Sequence, residues 1–235
     1  MRTLKLGDLQ ARVTGGVDGE GSGAGPIVVL LHGFGAPGDD LVSLHRVIDA
    51  PKETRFVFPH APIALPPMYG EGRAWWMVDF GKIEEAARSG DPRILTHNEP
   101  EGLDAARSLL DGLLDAIEKE LSPSHLVVGG FSQGAMLSCD ALLRSERNVS
   151  GLVMLSGTMV AANAWLPRLE ARKGQRAFLS HGTNDPILPH FVSEALVQIF
   201  RENGWDTTWV PFRGGHEIPM PVLAELGSFL HACTG

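Results

Sequence analysis

The sequence predicts an α/β fold: a mostly parallel sheet with helices on both faces. Three observations carry that expectation. Short continuous apolar runs, Pro26–Leu31 and Gly151–Leu155 among them, suit strands buried on both faces. Segments with helical spacing alternate with those runs, as a parallel sheet needs. With 235 residues, 43% hydrophobic and 20% charged, the chain can bury a sizeable core. One domain over residues 1–235 is expected at this length.

The elements follow in order. Leu4–Val13 reads as an N-terminal hairpin, and glycine-rich Gly15–Gly25 connects it to the first core strand, Pro26–Leu31. Asp39-Asp40 is placed to cap a helix over Leu41–Ile48. Arg55–Phe58 is the next strand, stopped by Pro59. The longest helix covers Glu99–Leu121, where Leu103, Ala106, Leu110, Leu113, Leu114 and Ile117 follow the helical period, and Ser122-Pro123 ends it. Then come a strand at Leu126–Val128, a helix from Gln133 to Arg144 and the strand Gly151–Leu155. A short helix near Trp165–Ala171, a strand at Ala177–Leu179, a helix over Phe191–Glu202, a strand at Thr207–Phe212 and a helix over Val222–His231 complete the pattern. The stretch from Pro59 to Pro100 breaks this rhythm, with a weak helical signal only at Ile83–Arg88. A connection that long serves function more often than it serves packing.

Composition excludes several classes. Twenty Lys+Arg against 28 Asp+Glu give a net charge of −8, which argues against nucleic-acid binding. Cys139 and Cys233 lie too far apart for a disulfide framework or a cysteine zinc site and suit a reducing compartment. The N-terminus lacks an apolar signal-peptide core, and no apolar run approaches a membrane span. A cytoplasmic protein without integral membrane association is expected. Without a secretion signal, the sequon Asn148-Val149-Ser150 is read as chance. Asp79 and Asp91 show no metal-ligand spacing with any histidine, and no nucleotide-binding fingerprint stands in strand context, so no metal or cofactor is expected.

Chemistry should lie beyond the carboxyl ends of the strands. Gly130-Phe131-Ser132-Gln133-Gly134 is G-x-S-x-G between a strand and a helix, the setting of a nucleophile elbow. A serine hydroxyl needs a base oriented by a third group. Asp185 follows the strand Ala177–Leu179, and His216 follows Thr207–Phe212 behind Gly214-Gly215, which frees that loop to reach the serine. The order Ser132, Asp185, His216 is that of α/β-hydrolases. Glu217 is the competing orienter, but a neighbour of the histidine points elsewhere. His181 reads as a structural hydrogen bonder and His190 as a possible ligand contact. His45, His97, His125 and His231 read as solvated surface. After the first core strand, His32-Gly33-Phe34-Gly35 lets backbone approach a developing oxyanion, with Phe34 and Gln133 N–H as the donor pair.

His32-Gly33-Phe34-Gly35, Gly130-Phe131-Ser132-Gln133-Gly134-Ala135, His181-Gly182-Thr183-Asn184-Asp185-Pro186 and Gly215-His216-Glu217-Ile218-Pro219 together resemble the phospholipase/carboxylesterase group. That group includes acyl-protein thioesterases and small bacterial carboxylesterases. The resemblance runs from about Pro26 onward. It implies an α/β-hydrolase fold with no large lid domain, a Ser132 nucleophile, an Asp185 orienter, a His216 base and Phe34 and Gln133 as oxyanion donors. Ala74-Trp75-Trp76-Met77-Val78-Asp79-Phe80 departs from the single tryptophan usual there, and its loop is longer, so substrate choice is not carried over.

The expected activity is hydrolysis of short- to medium-chain carboxylic esters, with a small acyl ester as the partner. Thioesterase or lysophospholipase activity is the alternative on this scaffold, and a non-catalytic ligand-binding relative is the alternative of another class. Leu65, Met68, Trp75, Trp76, Met159, Ile187 and Leu188 are the candidate pocket residues. Alternation along an extended segment predicts that one of Trp75 and Trp76 packs as core while the other faces substrate.

Overall fold

The computed structural model describes residues 1–79, 81, 82, 88, 96, 97 and 99–234. Most of the expected helix at Ile83–Arg88, together with Phe80 and Asp91, lies outside the described residues. The strands are β1 (Arg2–Leu6), β2 (Leu9–Gly16), β3 (Glu20–Ser22), β4 (Ile27–Leu31), β5 (Arg55–Pro59), β6 (Ile63–Ala64), β7 (Arg73–Ala74), β8 (Leu126–Phe131), β9 (Gly151–Leu155), β10 (Arg176–Gly182) and β11 (Asp206–Phe212). The α-helices are α1 (Leu103–Ala116), α2 (Gln133–Leu143), α3 (Ala162–Trp165), α4 (His190–Glu202) and α5 (Met220–Thr234).

The main sheet has the order β1-β2-β5-β4-β8-β9-β10-β11, with β3 beside β2. From β5 to β11 every neighbouring pair is parallel. The N-terminal hairpin adds an antiparallel edge, because β2 runs against both β1 and β5. The glycine-rich connection is partly strand, not only linker: β2 continues to Gly16, and Ser22 of β3 pairs with it. At the other edge, β11 carries Pro211 in register with His181.

Two buried layers show why the apolar runs are continuous. Ile27, Val29 and Leu31 of β4 pack on one face with Leu103, Leu110 and Leu114 of α1 and Leu137 of α2. Val28 and Leu30 pack on the other face with Val222, Leu226 and Leu230 of α5. A strand covered on both sides needs apolar residues at every position. The α/β-hydrolase architecture follows, with no lid domain inserted among the described residues. No described helix is long and apolar enough to cross a membrane.

Several boundaries differ from expectation. The Leu41–Ile48 helix is a 3₁₀ segment, Asp40–Arg46, and the Asp39 side chain makes no capping bond. A segment that short gains too few α-type bonds to complete a nucleus. The helix expected at Trp165–Ala171 begins earlier, at Ala162, and gives way to 3₁₀ turns at Leu166. Pro167 has no N–H to continue the ladder. Helix α1 starts at Leu103 behind Gly102, whose φ is 88°, and its tail, Ile117–Leu121, is a π turn ending at Ser122 with φ 43°. The irregular Pro59–Pro100 stretch contains the β6–β7 hairpin, which propensity did not reveal.

Leu110 is fully buried between α1 and the sheet. Leu110→Ala is expected to lower unfolding free energy by about 2–5 kcal/mol, read as a shifted denaturant midpoint with an unchanged slope.

Candidate active site

Strand order reverses between β4 and β8: the chain leaves β4 toward β5, then returns to build the sheet on the other side. Ligand crevices of open α/β sheets form at such switch points. Leu31 of β4 is in register with Gly130 of β8, so the two loops that follow meet there. A Cβ on Gly33 would lie 3.3 Å from the Ser132 Cβ.

Ser132 joins β8 to α2 with φ 54° and ψ −117°, a conformation rare for a residue with a Cβ. Its N–H donates to Leu155 O at 2.8 Å, and its carbonyl accepts from Ala135 and Met136. These bonds hold the strained residue from both sides. The flanking glycines do not supply the turn through positive φ; their hydrogen side chains leave room for it. A Cβ on Gly130 would sit 2.4 Å from Leu31 O, and one on Gly134 2.3 Å from the same oxygen. Gln133 opens α2, and first-turn amides of a helix have no intrahelical acceptor.

Asp185 and His216 come together as the sequence expects. His216 Nδ1 lies 2.6 Å from Asp185 Oδ2, and the Asp185 carboxylate is fully buried. Backbone contacts bind the two loops: Asn184 N–H donates to Gly214 O at 2.9 Å, and a Cβ on Gly182 would sit 2.1 Å from Gly215 O. The imidazole rests on Phe131, with ring centroids 4.7 Å apart, which puts it beside the residue preceding Ser132. Burial alone would push the Asp185 carboxyl up. Hydrogen bonds from His181, His216 and the Leu188 and Ile187 amides outweigh burial and hold it well below the usual carboxylate range. Glu217 does not compete for the histidine, because its carboxylate accepts from Gly215 N–H at 3.1 Å.

The loop after β4 is clamped on both sides of Phe34. His32 Nδ1 donates to Gly33 O at 2.8 Å, while Gly35 N–H donates to Arg73 O at 2.9 Å. His32 Nε2 accepts from Ala61 N–H at 3.1 Å, which fixes the tautomer of this buried ring. Gln133 supplies a link that the sequence pattern does not show. Its side-chain oxygen accepts from Trp75 N–H at 2.9 Å, and its amide nitrogen donates to Trp76 O at 2.8 Å.

The pocket candidates divide. Leu65, Met159 and Leu188 are buried; Met68 is 86% and Ile187 52% exposed. Both tryptophans are buried in the same core cluster, contrary to the expected division of labour. Trp75 donates its Nε1–H to His32 O, and Trp76 lies against Gly102 at the start of α1. The pair follows β7 as a bend, where two-residue alternation no longer applies. Of the remaining histidines, His97 and His231 are exposed. His45 and His125 are half-buried, and His45 packs on Phe56. His190 sits edge-on to His181 with centroids 6.0 Å apart. Among the described residues, no three His, Cys, Asp or Glu side chains gather as a metal would require. The site's supporting side chains His32, His181 and Ser193 are fully buried, and only the two histidines, each before a glycine at a strand end, left a trace in the sequence.

Two outcomes follow. Gln133→Glu keeps an acceptor for Trp75 but sets a carboxylate against Trp76 O, so stability should fall by about 1–3 kcal/mol in chemical denaturation. His32 burial, opposed by the Gly33 carbonyl and aided by the charges of His60 and Arg73, lowers its pKa from 6.5 to about 4. The unfolded chain therefore binds the extra proton first. Stability is full above pH 6.5 and falls as pH drops toward 4, by about 3 kcal/mol from this group. His32→Gln should flatten that part of a melting-temperature profile against pH.

The phospholipase/carboxylesterase family model matches residues 17–234. An acyl-protein thioesterase 1 of Emericella nidulans is 28% identical over 214 residues, covering 86% of this chain and 88% of its own. The crystal structure of esterase PE8 superposes with a TM-score of 0.76 at 27% identity, covering 96% of this chain and 99% of that one. A carboxylesterase of Mesorhizobium loti shares the fold, with a TM-score of 0.75 at 19% identity over 98% of each chain. A nearly full-length family match, seated on this strand order and this elbow, establishes that the chain belongs to the phospholipase/carboxylesterase family of α/β-hydrolases, hydrolases of esters and thioesters.

Proposed function

We propose that the protein is a serine carboxylesterase that hydrolyses short- to medium-chain carboxylic esters through an acyl-enzyme. The carrying observation is the strained Ser132 at the β4–β8 switch point, next in the chain to Phe131, whose ring packs on an imidazole held 2.6 Å from a buried carboxylate. His216 takes the Ser132 proton as the oxygen attacks the ester carbonyl. The Phe34 and Gln133 amides receive the oxyanion, a contribution of roughly 3–4 kcal/mol per donor in such sites. The imidazolium then protonates the leaving alcohol. Water repeats the sequence and releases the acid, regenerating Ser132. Asp185 stays ionised throughout and orients the ring.

For the acyl slot, we assign its exposed rim to Met68 and Ile187 and its inner wall to Leu65, Met159 and Leu188. Trp75 and Trp76 support that wall from within the core. Thioester hydrolysis is the second reading, favoured by the name of the thioesterase relatives. The two free, buried cysteines accord with a cytoplasmic setting.

A ladder of p-nitrophenyl esters from acetate to palmitate, run beside matched acyl thioesters, separates the readings. The expected result is a turnover peak at a short or medium ester, with Ser132→Ala silent and normally folded. Higher kcat/KM on thioesters at every chain length selects the second reading. Undiminished turnover by Ser132→Ala removes the serine mechanism.

A further inference from the structure

His181 lies fully buried on the far side of the acid that orients His216. Its Nε2 is 3.2 Å from Asp185 Oδ2, the same oxygen that His216 uses, and 2.9 Å from Leu188 O. Both neighbours can only accept, so Nε2 carries a proton. Its Nδ1 is 2.7 Å from Ser193 Oγ, and that hydroxyl is 2.7 Å from Gly157 O. Ser193 has one proton for two contacts. A carbonyl oxygen can only accept, so the hydroxyl proton goes to Gly157, and the contact to His181 is a hydrogen bond only if Nδ1 is the donor. With a neutral His181 the single hydroxyl proton could serve only one of the two contacts, leaving either Nδ1 and Ser193 Oγ or Ser193 Oγ and Gly157 O buried 2.7 Å apart with no proton between them.

From this count of protons we infer that His181 is an imidazolium, a positioning residue that shares the Asp185 charge with His216. The inference rests on the serine hydrolase reading for its kinetic consequence, not for its geometry. The titratable groups around the ring are Asp185 on the loop that follows its strand, His216 across that carboxylate and His190 from α4, with centroids 6.0 Å away. The hydroxyl of Ser193 and the carbonyls of Leu188 and Gly157 complete its surroundings.

The arrangement has two effects. Mechanically, it ties the acid loop to α4 and to Gly157, whose Cβ position lies 3.7 Å from Ser132 O. Electrostatically, a positive charge beyond Asp185 reduces the field that His216 feels. That disfavours His216 imidazolium in the resting enzyme and extends the active, neutral form to lower pH. Removing the charge should therefore move the acid limb of activity to higher pH.

The test reads the ring and the reaction separately. In nitrogen-15 spectra of the wild-type chain at neutral pH, the His181 resonances, assigned by their absence in His181→Gln, should show a proton on both nitrogens. One unprotonated nitrogen overturns the inference. Ser193→Ala deletes the acceptor for Nδ1–H and touches neither substrate nor triad. It should convert His181 to the neutral ring and raise the acid limb of kcat/KM by about one pH unit, with KM little changed. A Ser193→Ala limb that coincides with wild type, or His181 still doubly protonated in that variant, also overturns it. Where Ser193→Ala or His181→Gln fails to fold, the two nitrogen shifts of the wild-type ring, assigned through backbone correlations, still decide. If esters and thioesters both go unturned, the limb is read from the pH dependence of phosphonate labelling of Ser132. Absence of labelling sinks the hydrolase reading while the spectra still judge His181.

Discussion

The site depends on a steric constraint at one oxygen. Leu31 O, the last carbonyl of β4, is approached by the backbone of both Gly130 and Gly134, so closely that a Cβ on either would sit 2.4 or 2.3 Å from it. Contacts of that length exclude every side chain, including a methyl. What the glycines permit is the close passage of one strand's elbow across the end of its neighbour. The elbow can then fold back into α2 with Ser132 at its apex and Gly33 opposite. The strain at Ser132 is sustained by three backbone bonds and by the packing of β8 and α2 on either side. A looser junction would let the serine relax, and the hydroxyl would lose its aim.

Around that junction the protein uses buried side chains as backbone partners. Gln133 reads the backbone of Trp75 and Trp76, His32 bridges Gly33 and Ala61, and His181 bridges Leu188 and Ser193. Loops without regular ladders must satisfy their amides and carbonyls somewhere. Here they do so on polar groups anchored at the ends of strands and at the start of α2. The backbone at Ala61, Trp75 and Trp76 is therefore held by the same residues that lie next to the site. Substitution of one of them disturbs both loop and site.

Much of this was legible in the sequence, for physical reasons. Strands buried on both faces announce themselves as unbroken apolar runs, so β4, β5, β8, β9 and β10 were found with only their ends displaced. The triad order and the glycines beside Ser132 and His216 placed three polar residues after three strands. The glycines beside Ser132 leave room where a Cβ would collide, while Gly214 and Gly215, expected to free the histidine loop, take no positive φ. Other features had no one-dimensional signature. The β6–β7 hairpin has two residues per strand, too few for a period. The burial of both Trp75 and Trp76 depends on a bend and on α1 arriving from about thirty residues downstream. The Ser193 hydroxyl falls on a helix where serine is unremarkable until the fold brings it against His181.

Pro211 has a consequence beyond the site. It stands in the outermost strand, β11, opposite His181 of β10. Proline is tolerated in a sheet where its nitrogen faces away from the ladder. The open side of β11 therefore lacks a donor near the C-terminal end of what would otherwise be a ready template for another strand. At the opposite margin, β1 presents exposed Arg2 and Lys5. A sheet of this width with bare apolar margins would invite lateral growth. This one carries its own terminators, so its strand count is limited at both edges by residues that contribute nothing to the reaction.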